Sequence, residues 1–375
     1  MGSGRISLMI AALSLWHFAT AQPELPPNGD NQRSEVVQFM GLVKVTIVYS
    51  SPRVRGREIW GAVVPYGSTN FNVGNSTEQN PSPWRAGANE NTVITFSHDV
   101  QVEGKTLRAG TYGLHMIPGS DEWTVIFSNN SNSWGSFFYT PAEDALRVTV
   151  KPRNSEFNEW LTYEFTDRLQ NSSTMLMSWE RISVPVMITV PDGDEIYFQR
   201  LREQFQGAMG PQGHQFMVWQ NWVQAANFCA RKKIHLEEAM SWLDIYLNRG
   251  AKYYTLLQAK SNLLVAMGRQ GEADALMKEA ATLSDAGPDQ LTAYGQELLT
   301  RNLNKEAMEV FLLNLDRHPH QAGALMGLAF GYSRNGDTKK ALKFATEALA
   351  LEKNETRRTQ IELAIKQLKA GQGIN

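Results

Sequence analysis

Along residues 36–190 apolar and polar positions alternate, and beyond about residue 194 the period lengthens to that of a helix. The first stretch holds short runs rich in β-branched and aromatic residues: KVTIVYS (44–50), TVITFS (92–97), TYGLHMI (111–117), EWTVIFS (122–128), LRVTVK (146–151), WLTYEF (160–165) and TMLMSW (174–179). Gly, Pro, Asn and Asp separate them, so each run reads as a strand ended by a turn. No long helical pattern lies between them, which predicts antiparallel pairing in a β-sandwich-like domain rather than a parallel sheet. Gly104 and Gly110 in VEGKTLRAGTY supply positions that tolerate positive φ, and Pro118-Gly119 in IPGSDEW reverses the chain.

The second half repeats. Ala239, Ala273, Ala307 and Ala341 stand 34 residues apart, and Ser261, Gly295 and Ala329 precede the last three by 12 residues, with Asn227 a weaker match in the first unit. Val223, Leu257, Leu291 and Leu325 keep the same register. A small residue on each first helix lets it approach its partner closely. The pattern resembles the tetratricopeptide family over residues 218–353, with Pro319 closing the third unit and IELAIKQLK (361–369) as a capping helix; several aromatic positions of that family are missing from the first two units. The resemblance implies an α-helical solenoid of stacked pairs with a concave groove. Such a groove either holds a protein or peptide partner or packs on the β domain of the same chain.

Composition adds a compartment. The N-terminus MGSGRISLMIAALSLWHFATAQ has a positive Arg5, an apolar run from Ile6 to Phe18 and the small-x-small pattern Ala19-Thr20-Ala21, which predicts a cleaved signal peptide and a mature start at Gln22. Ser14 and His17 break the run, and it is shorter than the roughly 18–20 apolar residues of a permanent span, so no integral membrane segment is predicted after cleavage. The expected location is periplasmic or extracellular. Cys229 is the sole cysteine; it allows no internal disulfide, follows no cleavage site, and in AANFCARKK reads as a small buried hydrophobe. With 36 Lys+Arg against 38 Asp+Glu, a net charge of −2 and no block of like charge, nothing favours nucleic acid as a partner. The expected organisation is a signal peptide at 1–21, a β-sandwich-like domain at 22–193, a linker and helical lead-in at 194–217, and the tetratricopeptide-like solenoid at 218–375.

The candidate chemistry gathers in WRAGANENT, Trp84 to Thr92, directly before the apolar VITF. Ala86, Gly87 and Ala88 allow a tight turn, which would fold Arg85 back toward Asn89 and Glu90. A buried Arg–Glu pair stripped of one partner loses about 3–5 kcal/mol, so the three polar groups are expected to satisfy one another as a latch. Asn89 suits a bond to the backbone of the adjoining turn, and Trp84 offers a flat face to Arg85 or to a ligand. The other readings of the same residues are a ligand site and, more remotely, a catalytic one.

The β region resembles the family catalogued as domain of unknown function 2911. YSSPRVRGREIWGAVVPYG (49–67), WRAGANENTVITFSHDV (84–100), AGTYGLHMIPGSDEWTVIFS (109–128), WGSFFY (134–139), EDALRVTVKP (143–152) and EWLTYEF (159–165) carry the resemblance. It implies an exported, mostly β domain and brings no activity with it. Relatives pass from the PYG turn to WR within a few residues, whereas NFNVGNSTEQNPSP (70–83) intervenes here, either as a lid or as a solvent loop.

Two histidines complete the candidates. His98 follows Ile94 and Phe96 at alternate spacing, and His115 shares a face with Thr111 and Gly113; on neighbouring strands the imidazoles could converge, with Glu90 or Asp99, into a metal or acid–base set. No HExxH, GxSxG, GxxxxGK[ST] or GxGxxG occurs, so no cofactor is predicted and the metal stays unassigned. The aromatics of WGSFFY, with Trp123, Phe127 and Trp134, read as core or as the wall of a sugar or peptide groove. The functional expectation is a non-enzymatic envelope binding or scaffold protein acting through its repeats. The alternative is an envelope hydrolase or small-ligand or metal-binding enzyme around Arg85, Glu90, His98 and His115.

Overall fold

The computed structural model describes residues 31–67, 82–208 and 219–374; the export sequence read at 1–21 and most of the 70–83 insertion lie outside them. The described residues form two compact units that part between Gly193 and Asp194.

The first unit holds ten strands among the described residues: β1 (Gln32–Met40), β2 (Val43–Ser51), β3 (Thr92–Phe96), β4 (Val100–Val102), β5 (Lys105–Leu107), β6 (Gly110–Ile117), β7 (Trp123–Ser128), β8 (Asp144–Val150), β9 (Arg153–Thr166) and β10 (Ser172–Thr189). They pair antiparallel in a six-stranded sheet, β1-β2-β3-β6-β7-β8, and a four-stranded sheet, β5-β4-β10-β9. The period-two pattern decides which side chains enter the core. Val43, Val45, Ile47 and Tyr49 of β2 are buried, as are Leu161, Tyr163 and Phe165 of β9. Tyr49 and Tyr163 meet edge to face, 4.9 Å between centroids, and the Tyr163 N–H donates to the Tyr49 hydroxyl at 3.3 Å, joining the two sheets through the core. Each aliphatic or aromatic side chain so buried contributes about 1.5–3 kcal/mol.

Three departures from the sequence pattern have local causes. In β10 the buried positions change parity: Met175, Met177 and Trp179 before Glu180, Val184, Val186 and Ile188 after it. Glu180 is left-handed (φ 56°) and the pairing with β9 shifts on both sides of it, so this bulge turns the remainder of the strand over. The stretch VEGKTLRAGTY (102–112), read only for its turns, holds part of a small hairpin of β4 and β5, turning at Gly104 with φ 77°. Both faces of β6 and β7 are buried in their middle, because residues 129–143 fold back over the outer face of the larger sheet. That segment is tied down by Ser133 Oγ to Asn130 Oδ1 (2.6 Å), Asn130 Nδ2 to Glu143 Oε2 (3.2 Å) and Tyr139 Oη to Asp144 Oδ2 (2.9 Å).

The second unit holds ten helices among the described residues: α1 (Gly193–Ala208), α2 (Trp219–Lys232), α3 (Leu236–Leu247), α4 (Tyr254–Ala266), α5 (Gln270–Thr282), α6 (Pro288–Thr300), α7 (Asn304–Arg317), α8 (Ala322–Arg334), α9 (Thr338–Leu351) and α10 (Glu355–Lys369). From α2 to α9 they alternate as first and second helices of four pairs. Ala239, Ala273, Ala307 and Ala341 fall on α3, α5, α7 and α9, each at most 1% exposed. Ser261 on α4 shows why the facing position is small: its hydroxyl donates to Ala273 O at 3.2 Å across the pair. At the third pair Gly295 leaves room for Phe311, which Gly327 and Gly331 of α8 also flank. Arg317 on α7 caps the end of α5, donating to Ala281 O, Thr282 O and Leu283 O, and so ties one pair to the next. The stretch read as a lead-in is itself a helix, α1, whose Phe205 stacks on Trp222 of α2 (4.1 Å) and whose Phe198 stacks on Trp242 of α3 (5.6 Å). Cys229 is buried in this cluster, and burial pushes its thiol up to about 11, which suits packing and not nucleophilic chemistry.

Candidate functional site

The WRAGANENT loop runs beside β6 beyond the end of β3. Trp84 and Met116 exchange backbone bonds of 2.9 and 2.8 Å, after which Ala86 (φ 52°) and Asn89 (φ 59°) turn the chain in left-handed conformations. Gly87 is obligatory for a steric reason: a Cβ there would stand 2.6 Å from Thr92 Oγ1. Both sheets hold the turn. Ala86 O accepts from Thr92 Oγ1 (3.1 Å) and from Tyr163 Oη (2.8 Å), and Ala88 N–H donates to Ser50 O (3.0 Å).

This turn does not make the expected latch. Arg85 Nη1 donates to the Asn89 carbonyl, and its guanidinium lies on Gly135 and over the Phe137 ring at 5.5 Å. Glu90 is exposed, its carboxylate accepting from Ser50 Oγ at 3.4 Å, and Asn89 Oδ1 accepts from Asn31 Nδ2 at 3.2 Å. The left-handed residues are the cause: they bring a carbonyl, not a carboxylate, to the guanidinium and send Glu90 elsewhere. Among the described residues no carboxylate pairs with Arg85, and burial lowers the guanidinium below its ordinary pKa without discharging it. Trp84 is engaged too, stacked on Trp179 (5.9 Å) and edge-on to Trp60 (5.7 Å) and Trp123 (6.4 Å).

The two histidines do not converge. His115, 2% exposed, faces the covering segment, with Nδ1 at 3.0 Å from Ser136 Oγ and its ring edge-on to Tyr139 at 5.3 Å. Burial first, and the Arg85 charge second, hold it down to about 3, so it is neutral and weakly basic at pH 7. His98 lies past the end of β3, half-buried, with Nδ1 at 2.9 Å from Ser97 Oγ. The register Thr92↔Leu114 places it seven residues along the strand from His115, about 20 Å. The strand ends at Phe96, so alternate spacing no longer governs where His98 points. No group of three or more His, Cys, Asp or Glu suited to a metal occurs among the described residues. Trp123 and Phe127 are core, whereas Trp134 and Phe138 stand exposed.

What the loop does build is a cavity of about 250 Å³, lined by Arg57 and Arg85, Ser82 and Ser136, Trp84, Trp179, Phe137 and Val63 among others, with no carboxylate among the described residues of its wall. Arg57 is held from its own loop, Nε donating to Val54 O at 3.1 Å. The indole N–H of Trp179 is buried with no acceptor among the described residues.

On the helical unit a groove of about 590 Å³ lies between the first helices α6 and α8 and the last helix, α10. Met326, Phe330 and Ile361 give it an apolar floor, and Gln296, Gln360 and Gln367 bring amides to the same space. Leu363, 56% exposed, is part of its lining.

Residues 31–188 match the profile of a family described as protein of unknown function (DUF2911). The β unit is a DUF2911 domain. Among solved structures, the crystal structure of YrrB, titled a TPR protein with an unusual peptide-binding site, is similar: 15% identity and a TM-score of 0.31, covering 46% of this chain and 89% of that one. So distant a likeness decides nothing about ligands, and the repeat rests on the helices and their spacing. No curated protein matches the chain.

Of the four residues that the sequence grouped in the DUF2911 domain, Trp84 and Arg85 line this cavity, and Asn89 and Glu90 are not part of its described lining. Arg57, Ser136, Phe137 and Trp179 were not singled out. The one signal for Ser136 and Phe137 was a glycine, Gly135, inside an otherwise aromatic run.

Proposed function

We propose that the chain is an exported, non-enzymatic binding protein whose helical repeats hold a peptide segment of a protein partner. The observation that carries this reading is the groove between α6, α8 and α10, where apolar floor residues and three glutamines share one concavity. Primary amides pair with the donors and acceptors of an extended peptide backbone, and Met326, Phe330 and Leu363 accept its apolar side chains. Export is supported by the Arg5, Ile6–Phe18 and Ala19-Thr20-Ala21 pattern. No helix among the described residues is long and apolar enough to cross a membrane.

The hydrolase reading requires Arg85, Glu90, His98 and His115 to reach one substrate atom, and the separation of the two histidines weighs against it.

The test is to pan a random peptide library on the immobilised full mature chain and on Leu363→Asp, a change at an exposed position. Peptides enriched by the wild type and lost by the variant support the groove. No enrichment, or retention indifferent to Leu363→Asp, rejects it. Expression with the intact N-terminus in a bacterial host tests export: a periplasmic product beginning at Gln22 is expected, and an uncleaved cytosolic product counters it.

A further inference from the structure

The Arg85 cavity and the helical groove belong to different units, and the cavity has its own chemistry. Arg85 carries a full charge in a half-buried position, yet its one acceptor among the described residues is the Asn89 carbonyl, leaving most of its five N–H donors without a partner among those residues. A charge so placed is costly unless something neutralises it. The neighbourhood supplies the same sign once more and, among the described residues, no opposite sign: Arg57 lines the same wall, His115 is neutral, and no described Asp or Glu lines the cavity.

We propose that this cavity binds a small carboxylate carried on a short apolar body. The planar guanidinium fork of Arg85 matches a carboxylate bidentately, and Arg57 adds a second charge at the mouth. Val63, Val64, Pro83 and the ring of Trp84 form the apolar part of the wall. Trp179, whose buried indole N–H has no acceptor among the described residues, lines the same space. The volume, about 250 Å³, is below the roughly 300–1,000 Å³ of sites for drug-sized ligands, so the occupant has few heavy atoms. A phosphate dianion is the poorer fit: phosphate sites gather several backbone N–H groups at a helix N-terminus or a glycine-rich nest, and this wall is made of side chains. The Ser136 and Ser82 hydroxyls are already engaged, with His115 Nδ1 and with Ser136 O at 3.1 Å, so the positive side chains do the recognising.

Trp84 and Trp179 make the site its own reporter. The full mature chain is titrated at constant ionic strength with acetate, butyrate and benzoate, with butyramide as the uncharged isostere and with inorganic phosphate, following tryptophan fluorescence and heat. The expected result is saturable binding of at least one carboxylate, none of butyramide, and affinity lowered at least about tenfold in Arg85→Gln and about three- to tenfold in Arg57→Gln. Arg57 is exposed, so its variant keeps the test decisive if Arg85→Gln does not fold. Leu363→Asp is expected to leave carboxylate binding unchanged, which separates this site from the peptide groove. The proposal is overturned if no carboxylate saturates at millimolar concentration, if butyramide responds like butyrate, if phosphate alone binds, or if Arg57→Gln changes nothing.

Discussion

The guanidinium of Arg85 rests directly on the backbone of Gly135: a Cβ built on that glycine would stand 2.2 Å from Arg85 Cζ. Gly135 is also left-handed, with φ 63°. A glycine inside the aromatic run WGSFFY therefore does two things, turning the covering segment and leaving space for a cation.

Gly135→Ala should cost more than its backbone alone explains. Left-handed alanine costs about 1–2 kcal/mol, and displacing a packed side chain adds about 1–3 kcal/mol. Gly104 provides the control, since its φ is 77° and nothing lies within 4 Å of its Cβ position. Urea midpoints at unchanged slope give the comparison. Equal losses at the two glycines would remove the Arg85 contact from the account.

In the helical unit the same reasoning predicts a change of sign. Alanine for glycine within a helix ordinarily gains about 0.5–1 kcal/mol. Gly271→Ala in α5, with nothing within 4 Å of the Cβ position, is expected to be stabilising by up to about that amount. Gly295→Ala in α6 would place its Cβ 2.2 Å from Phe311 Cε1 and is expected to be destabilising by about 1–3 kcal/mol. Phe311→Leu should restore part of the loss in the double variant, a coupling that two independent sites would not show.

The two examples also show what the sequence could and could not say. A 34-residue period is a property of the chain alone, and the alanines that mark it are buried where the period puts them. Strand alternation was equally readable while it lasted: β2, β3 and β9 bury the positions it names. It failed at Glu180, where one bulged residue changes the parity, and at His98, two steps past the end of its strand. The Arg85 environment was illegible for a different reason. Its contacts with Gly135 and Phe137 join positions about fifty residues apart, and its failure to meet Glu90 follows from left-handed backbone at Ala86 and Asn89, which neither residue type demands.

Inserting one alanine after Arg181 tests the parity argument. With one more residue Val184, Val186 and Ile188 would turn from the core to the opposite face, losing about 1.5–3 kcal/mol apiece. Together that approaches the roughly 5–15 kcal/mol by which a domain is stable, so the β unit should lose its cooperative transition. Glu180→Gly keeps the residue count and relieves a left-handed side chain at φ 56°, so it should lie within about 1–2 kcal/mol of wild type on the favourable side. An insertion variant with a normal unfolding curve would contradict the register.

His115 gives the domain a pH dependence whose sign is fixed by burial. Its folded pKa is about 3 against an ordinary 6.5, so between these values the unfolded chain binds a proton that the folded chain refuses. Stability is fully present above pH 6.5 and is lost as pH falls toward 3, at up to about 1.4 kcal/mol per pH unit. The cleanest window is pH 6.5 to 5, above most carboxylate titrations, where the loss amounts to about 2 kcal/mol. His115→Gln keeps an amide able to bond Ser136 Oγ and carries no titrating ring, so the slope in that window should flatten by about that amount even though the variant is less stable at pH 7. Denaturant titrations of both proteins at several pH values measure it. Parallel slopes would mean that His115 is protonated in the folded domain, and that Arg85 and the covering segment do not exclude charge from that face of β6.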